Sequence, residues 1–226
     1  MMGPENSDRK ISALNAIVFD MDGTIADSRQ GIFASIDYLV RQLGHTPDPG
    51  FDLAFVLGPP AEAWMGKVLG HYGDDRCTEG VALYRTHQKE GGLFLSALYP
   101  GIAELLGKLR ERGVDTYVAT AKRTEAAQQI LSHFGLESFF KSIYGSTPDG
   151  KNSDKVALIA KVVEANRLNP RNTGLLGDRM YDMEAARKNG LVALGALWGY
   201  GTEIELSEHG ASSCFAAPHD LMAEFT

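Results

Sequence analysis

The residues best suited to chemistry are Asp20 and Asp22, two carboxylates two positions apart that a glycine and a threonine follow directly. The apolar run Ala16-Ile17-Val18-Phe19 leads into them and is typical of a buried strand. Because residues i and i+2 of an extended chain point to the same side, both carboxylates could face one bound group. Two acids aimed at one point suggest a metal site, a nucleophile with an acid/base partner, or both.

The same run has two plainer interpretations. Asp and Gly favour turns, so the run from Asp20 to Gly23 could be only a turn after a strand. It also resembles the start of a calcium loop, which needs a glutamate at its twelfth position. Counted from either acid, the twelfth residue is Gly31 or Phe33. The calcium loop is therefore excluded, and the choice lies between a turn and a reactive site.

The composition limits the classes of protein to which this chain can belong. The chain has 226 residues, an apolar content of 44% that is ample for a core, and a net charge of −7 from 22 basic and 29 acidic residues. No basic run stands out, so the electrostatic footprint of a protein that binds a nucleic-acid polymer is missing. An anionic substrate would need a local cation, a metal ion or a lysine, to hold it on this acidic protein.

The cysteines and the apolar runs indicate the cellular compartment in which the protein is expected. Cys77 and Cys214 lie far apart in no metal-binding spacing, which predicts free thiols in a reducing cytoplasm. Residues 1–13 lack the apolar core of a signal peptide, so we interpret them as a disordered leader. No apolar stretch approaches the length of a membrane span. We expect a cytoplasmic protein without membrane contact and leave open whether it is a monomer or a homodimer.

Apolar residues recur at two different spacings, which divide the chain into two kinds of segment. Helical spacing dominates residues 26–99, where no clear strand run occurs, so this segment is predicted to be a helical insert. Residues 14–25 and 100–226 instead alternate strands with helices. Beyond the first strand, the predicted strand runs are 114–119, 142–145, 173–176, 191–197 and 212–216. This alternation predicts an α/β fold with a parallel sheet, helices on both faces, and ligands beyond the carboxyl ends of the strands.

Polar side chains also stand at the ends of other predicted strands. Thr120 ends one strand run, Asp178 and Asp182 follow another, and Lys155 lies near the start of the helix between them. Each alone has an ordinary interpretation: a helix cap for the threonine, a turn for the Gly-Asp pair and a solvated side chain for the lysine. Their joint occurrence at one edge of the sheet favours a single site shared with the first acidic pair.

These four pieces, in this order, resemble the motifs of the haloacid dehalogenase superfamily of phosphotransferases. The first motif is the run from Asp20 to Thr24, the second Thr120, the third Lys155, and the fourth Asp178 with Asp182. The helical insert is similar to the cap domain that this superfamily places just after the first strand. The resemblance covers nearly the whole chain after residue 14. It implies a Rossmann-like catalytic core, residues 14–25 and 100–226, and a helical cap, residues 26–99.

The resemblance implies a role for each carboxylate. Asp20 is the expected nucleophile, which attacks phosphorus and forms an aspartyl-phosphate. Asp22 is expected to protonate the leaving oxygen and then to take a proton from the attacking water. Mg²⁺ is the expected cofactor, with Asp20, Asp178 and the backbone carbonyl of Asp22 as ligands. Asp182 is expected to support that ligand shell or to join it.

The other motif residues are expected to bind the phosphoryl group. Lys155 would neutralise both Asp20 and the phosphoryl group, and Thr120 would donate a hydrogen bond to a phosphoryl oxygen. Backbone N–H groups near Asp22 and Ala121, at turns that lead into helices, suit phosphate equally well.

The second and third motifs are open to other interpretations. Lys151, four residues before Lys155, is the alternative third motif, but Asp149-Gly150 predicts a turn that leaves it on an exposed loop, so we favour Lys155. The second motif departs from a common pattern in which Ser-Lys-Pro follows the threonine, because Ala121-Lys122-Arg123 stands here. Since Thr120 keeps the phosphate donor, this departure bears on the subfamily more than on the chemistry.

The acid at position 22 separates the branches of the superfamily. Its dehalogenases lack that acid because a halide leaving group needs no proton, its phosphonatases also differ there, and its ion pumps have threonine instead. Asp22 therefore predicts hydrolysis of a phosphate ester or mutation of a phosphosugar. A mutase of the β-phosphoglucomutase type stays an alternative because it resembles this chain in motif and cap. A non-catalytic phosphate-binding or regulatory protein is a second alternative, although a mere sensor needs no Asp22.

The helical insert is expected to contact the leaving group. Gly58 and Pro59 belong to a Gly-Pro-Pro run that resembles the loop many such caps lower toward the site, so both are candidate substrate-binding residues. An ordinary helix entry is the alternative. Three further side chains of the insert are either substrate contacts or ordinary packed and solvated groups: Trp64, Lys67 and Arg85.

Two segments refine the expected substrate. Residues 145–150 and the run Trp198-Gly199-Tyr200-Gly201 look like the branch that contains phosphoglycolate phosphatases and 5′-nucleotidases. The expected function is therefore Mg²⁺-dependent hydrolysis of a small phosphomonoester, phosphoglycolate-like or nucleotide-like, through an aspartyl-phosphate.

Overall fold

The computed structural model describes residues 10–147 and 154–226 of the chain. Most of the expected leader, residues 1–9, lies outside the described residues, as do Lys151 and the turn expected at 149–150. The chain divides into two compact units. The core unit comprises Met1–Ala26 and Leu98–Thr226, and the helical unit comprises Asp27–Ala97. No helix among the described residues is both long and apolar enough to cross a membrane.

The core unit is built on a parallel sheet, which confirms the predicted fold class. The strands of the described residues are β1 (Ala16–Phe19), β2 (Ala26–Asp27), β3 (Ala97–Leu98), β4 (Asp115–Arg123), β5 (Phe140–Ser146), β6 (Thr173–Gly177), β7 (Val192–Ala196) and β8 (Ser213–Phe215). Six of these strands form one sheet in the order β5-β4-β1-β6-β7-β8, and each neighbouring pair is parallel. The strand order reverses at β1, where open α/β sheets form their ligand crevice.

Helices connect most strands of the core unit, and one helix follows its last strand. They are α4 (Ile102–Glu111), α5 (Thr124–His133), α6 (Lys155–Ala165), α7 (Met180–Lys188), α8 (Glu203–Glu208) and α9 (Pro218–Ala223). Ala16 and Val18 of β1 pack in one apolar cluster with residues of α6 and α7. The alternate residues Ile17 and Phe19 point to the opposite face and are also fully buried. Both faces of the sheet are therefore covered, as a parallel sheet requires.

The helical unit contains α1 (Arg29–Gln42), α2 (Ala61–His71) and α3 (Cys77–Glu90). In α1 the buried residues Ile32, Ile36 and Leu39 recur at the spacing of one helical face. The sequence shows no clear strand run in this segment, yet two short strands near its ends, β2 and β3, pair with each other. Each is only two residues long, which is too short to leave a period-2 apolar pattern.

Two further elements of the core unit differ from the prediction. Strand β4 was expected to end at residue 119 but continues to Arg123, with a register shift after Ala119 and renewed pairing of Arg123 with Ser146. Thr120, Ala121 and Lys122 are therefore strand residues rather than the start of a loop. A 3-10 turn with buried Ile11 occupies Ile11–Ala13, so this end of the segment expected to be disordered is structured.

Candidate active site

A tight turn directly after β1 presents the first motif. The backbone N–H of Asp20 donates to the carbonyl of Leu176 at 2.8 Å, which holds this residue at the edge of the sheet. The carbonyl of Met21 then accepts from the N–H groups of the three residues 24–26, so the chain turns back at once. Gly23 adopts φ +85°, and a Cβ there would lie 2.2 Å from Asp178 Oδ2. Only glycine satisfies both the left-handed backbone and this close approach.

Lys155 joins the first and fourth motifs. The side chain of Asp154 caps α6 by accepting from the N–H of Ala157 at 2.7 Å, so Lys155 occupies the first helical position. Its ammonium donates to Asp20 Oδ1 at 2.6 Å and to the carbonyl of Ala119 at 2.8 Å, and it lies 2.8 Å from Asp182 Oδ1. The ammonium thus makes two hydrogen bonds and lies within ion-pair distance of a third oxygen.

Three buried carboxylates lie together beside this ammonium. Oxygen atoms of Asp20, Asp178 and Asp182 all lie within 4.8 Å of one another, and the three residues are 7%, 0% and 2% exposed. Burial raises the pKa of Asp20 to about 7; Lys155 opposes this shift, and the charges of Asp182 and Asp22 add to it. Burial, followed by repulsion from Asp20 and Asp182, also holds the pKa of Asp178 well above its usual value.

The carboxylate of Asp182 divides its two oxygens between a helix and the cluster. Its Oδ2 accepts from the backbone N–H of Arg179 at 3.2 Å at the start of α7, while its Oδ1 faces Lys155. Gly177 leaves the necessary space, since a Cβ there would lie 2.2 Å from Asp182 Cγ. Burial alone would lower the pKa of the Lys155 ammonium, but the charges of Asp182 and Asp20 outweigh burial and raise it.

The carboxylate of Asp178 is held at both oxygens by groups that the sequence analysis did not assign. The Thr24 hydroxyl donates to Oδ1 at 3.3 Å, and the backbone N–H of Tyr200 donates to Oδ2 at 2.8 Å. The indole N–H of Trp198 donates to the carbonyl of Thr24 at 2.9 Å. Residues from three separate loops therefore meet at this one carboxylate.

Asp22 does not belong to the three-carboxylate cluster and pairs with Lys122. Its Oδ2 lies 3.3 Å from the Lys122 ammonium, and the two side chains are 14% and 10% exposed. Buried Thr120 lies in the same strand segment, and its Oγ1 accepts from the backbone N–H of Lys122 at 3.1 Å. Because a hydroxyl both accepts and donates, the O–H of Thr120 can still donate to a phosphoryl oxygen.

Sequence reasoning noted Lys122 but gave it no role. A signal was available, because Lys122 stands two residues after Thr120, and alternate residues of an extended chain point to the same side. The prediction that β4 ends at residue 119 concealed that signal.

The donor set of the cluster fits Mg²⁺. Three carboxylates face one ammonium, so the cluster carries excess negative charge when all three are ionised. Burial, together with repulsion between the carboxylates, opposes that ionisation and raises the pKa of Asp20 and of Asp178. Asp182 Oδ1, although close to Lys155, accepts no hydrogen bond of ordinary geometry from the described residues. Mg²⁺ prefers carboxylate and carbonyl oxygens, and a divalent cation would offset this charge.

The loop that contains Gly58 and Pro59 is fixed within the helical unit. Gly58 adopts φ +106°, and the carbonyl of Pro59 accepts from the indole N–H of Trp64 at 3.2 Å. Trp64 is buried and packs edge-on against Tyr84. A packing role for Trp64 is therefore evident, while the substrate role of Gly58 and Pro59 stays a prediction.

The two cationic candidates of the helical unit also have local partners. The ammonium of Lys67 lies 3.7 Å from the centre of the Phe55 ring. The guanidinium of Arg85 pairs with the carboxylate of Glu62. Both contacts join neighbouring elements of the helical unit, which gives each side chain a structural role.

The sequence of this chain is similar to a described protein family and to several named proteins. Residues 17–196 match the sequence model of a family described as haloacid dehalogenase-like hydrolase. The 5′-nucleotidase of Pseudomonas aeruginosa is 36% identical over 193 residues, which are 85% of this chain and 87% of that protein. The tyrosine-protein kinase PtkA of Mycobacterium tuberculosis is 35% identical over 187 residues, which are 82% of this chain and 62% of that protein.

A solved structure and a further relative extend the comparison over more of the chain. The crystal structure of a predicted phosphatase from Clostridium acetobutylicum superposes with a TM-score of 0.85 at 33% identity, covering 93% of this chain and 97% of that one. The phosphoglycolate phosphatase of Aquifex aeolicus is 27% identical over 92% of this chain and 95% of that protein.

Proposed function

Because the chain belongs to the haloacid dehalogenase-like hydrolases, we propose that it hydrolyses a small phosphomonoester through an aspartyl-phosphate at Asp20. The observation that carries this proposal is the position of Asp20: a buried carboxylate at a strand end, 2.6 Å from the Lys155 ammonium, with Asp22 two residues later. A nucleophile, a neutralising cation and a second carboxylate for proton transfer are the groups this chemistry requires.

In the first step a carboxylate oxygen of Asp20 attacks phosphorus, and the bond from phosphorus to the ester oxygen breaks. Asp22, in its protonated form, gives its proton to that oxygen, which leaves as an alcohol. Lys155 favours the ionised form of Asp20 that attacks, because its ammonium contacts the carboxylate directly. Thr120 donates a hydrogen bond to a phosphoryl oxygen, and the N–H of Ala121 is a further candidate donor.

In the second step water attacks the phosphorus of the aspartyl-phosphate. Asp22, now ionised, takes a proton from that water, and the bond from phosphorus to Asp20 breaks to release inorganic phosphate. Both carboxylates return to their starting protonation states. Lys122, at 3.3 Å, keeps the Asp22 carboxylate directed and electrostatically balanced between the two steps.

Mg²⁺ would be held by Asp20, Asp178 and the backbone carbonyl of Asp22, with Asp182 supporting this shell or joining it. When bound, it supplies the positive charge that offsets the repulsion between an anionic carboxylate and an anionic phosphate. The proposal keeps Gly58 and Pro59 as candidate substrate-binding residues of the helical unit.

The names of the relatives support a small phosphorylated substrate, but they imply different acceptors of the phosphoryl group. Two are named for releasing phosphate from small esters, a 5′-nucleotidase and a phosphoglycolate phosphatase. The third is named a tyrosine-protein kinase, whose acceptor is a tyrosine rather than water. A phosphosugar mutase would likewise return the phosphoryl group to a sugar hydroxyl. All of these reactions can share the first step at Asp20.

Product analysis with purified protein separates these acceptors. With Mg²⁺ and a panel of phosphoglycolate, nucleoside 5′-monophosphates and hexose phosphates, we expect free phosphate from at least one ester and none after chelation with EDTA. Conversion of hexose 1-phosphate to 6-phosphate without free phosphate would favour the mutase, and transfer from ATP to tyrosine would favour the kinase. Phosphate or Mg²⁺ binding without any turnover would contradict the proposal and favour a regulatory protein.

A further inference from the structure

We propose that the loop Trp198-Gly199-Tyr200-Gly201 is a clamp that orients Asp178 and thereby sets the affinity of the site for Mg²⁺. The inference rests on the proposed function, because it takes Asp178 as a metal ligand. Residues of this loop are positioning residues, because they act through Asp178.

Hydrogen bonds fix the Asp178 carboxylate from two sides. The backbone N–H of Tyr200 donates to Oδ2 at 2.8 Å, and the Thr24 hydroxyl donates to Oδ1 at 3.3 Å. One donor on each oxygen defines the plane of the carboxylate and leaves further lone pairs on both oxygens for a cation. Outer donors of this kind orient metal ligands and commonly affect metal affinity.

The two glycines of the loop allow its backbone to reach the carboxylate. A Cβ at Gly199 would lie 2.3 Å from Asp178 Cβ and 2.3 Å from the carbonyl oxygen of Gly23. A Cβ at Gly201 would lie 2.0 Å from the Asp178 carbonyl oxygen. No side chain fits at either position without displacement of the backbone that carries Asp178, so the close approach depends on both glycines.

The indole of Trp198 closes the clamp into a ring. Its N–H donates to the carbonyl of Thr24 at 2.9 Å, and the side chain of the same Thr24 donates to Asp178. The ring therefore runs from Thr24 to Asp178, through the Tyr200 N–H to the loop, and back through Trp198 to Thr24. It connects the loops that follow β1, β6 and β7, so the position of Asp178 is set relative to the first motif.

The direct test is the Mg²⁺ affinity of the full chain, measured by isothermal titration calorimetry. Trp198→Phe removes the indole N–H and keeps an aromatic ring, and we expect about a tenfold weaker affinity. Gly201→Ala forces the loop backbone away from Asp178, and we expect a loss of about a hundredfold. At saturating Mg²⁺, kcat of Trp198→Phe should return to within a few-fold of the wild-type value.

Matched controls are available for both substitutions. Trp64 is the chain's other tryptophan, and its indole also donates to a backbone carbonyl, so Trp64→Phe should leave the Mg²⁺ affinity unchanged. A Cβ at Gly107 in α4 would meet no atom within 4 Å, so Gly107→Ala should also leave it unchanged. Thermal unfolding without Mg²⁺ checks that each variant is folded.

The outcomes separate this inference from the proposed function. Wild-type affinity in folded Trp198→Phe and Gly201→Ala proteins would overturn the clamp while leaving the phosphatase proposal intact. A lower unfolding temperature with unchanged affinity would overturn it too, because the loop would then be merely structural. A wild-type protein that takes up no Mg²⁺ would contradict the proposed function and, with it, this inference.

Discussion

The buried acidic cluster of the core unit and Asp74 of the helical unit stand in opposite environments. In the core unit, burial raises the pKa of Asp20 and Asp178, and their like charges lie close together. In the helical unit, hydrogen bonds lower the pKa of Asp74, first from Arg76 and then from His45. The first arrangement opposes folding at neutral pH, whereas the second favours it.

This difference indicates which acids are present for chemistry. A buried group of like charges is unfavourable unless a ligand or cation compensates it, so its presence indicates a function. The pair of Asp74 and Arg76 is accounted for by stability alone: Asp74 accepts from both the backbone and the guanidinium of Arg76, which also donates to the carbonyl of Leu43. The comparison predicts that substitutions in the two units separate activity from stability.

The largest effect is expected for Asp20→Asn. Without a nucleophile, phosphate release should fall by about 10⁴-fold or more. Because the substitution also removes a charge from the buried cluster, we expect no loss of thermal stability in EDTA. Phosphate-release assays and thermal unfolding of the same preparation measure both quantities. Retained turnover would refute the assignment of the nucleophile.

Asp22→Asn should have the next largest effect. Loss of the acid/base group is expected to lower kcat by about a hundredfold or more. The rate of the first step should fall less for esters whose leaving groups need little protonation. A series of aryl phosphates with decreasing leaving-group pKa therefore tests whether Asp22 donates a proton to the leaving oxygen. An equal loss for every leaving group, in single-turnover measurements of that step, would argue against proton donation.

The pH dependence of stability should distinguish the two kinds of acid. Asp74 has a lowered pKa in the folded state, so its contribution is present above its usual value of 3.8 and is lost as the pH falls through the folded-state pKa. Asp74→Asn should therefore unfold at a lower temperature than wild type at pH 7, and the difference should disappear in strong acid.

In EDTA, Asp20→Asn should change the pH dependence of stability in the direction opposite to Asp74→Asn. Asp20 has a raised pKa, so wild-type stability should fall as the pH rises from about 4 to its folded-state value of about 7. The variant should lack this loss and be at least as stable as wild type at pH 7. Thermal unfolding at several pH values measures both variants, and parallel curves for the two would contradict the contrast between the units.

The smallest effect is expected for Lys67→Ala. Its ammonium lies over the Phe55 ring, and loss of this exposed contact should lower stability by about 0.5 kcal/mol. Chemical denaturation is sensitive enough to measure this change. If Lys67 also contacts the substrate, KM will rise while stability changes little, and the residue would then belong to the site rather than to packing.

The family, the parallel sheet and the approach of Lys155 to Asp20 and Asp182 were predictable, and the comparisons and the fold confirm the family and the sheet. Apolar strand runs separated by helices determine a parallel sheet, and its strands must end at one edge. Residues placed there, such as Asp20 and Asp178, are close in space although 158 positions separate their numbers in the sequence.

The remaining features depend on pairing that no local pattern reveals. The end of β4 is a strand because Arg123 pairs with Ser146, not because Ala121-Lys122 has a strand pattern. Helices α8 and α9 are six residues each, too short for a helical period to be evident. The contacts of Trp198 and Tyr200 with the first and fourth motifs arise only from the tertiary fold.

The most direct test of the account is detection of the covalent intermediate. We would mix the protein with Mg²⁺ and the best ester of the panel, quench with acid during turnover, and map phosphorylation by mass spectrometry of proteolytic peptides. We expect one phosphoryl group on the peptide that contains Asp20, and none in Asp20→Asn. A phosphoryl group on another residue, or phosphate release that continues in Asp20→Asn, would contradict it.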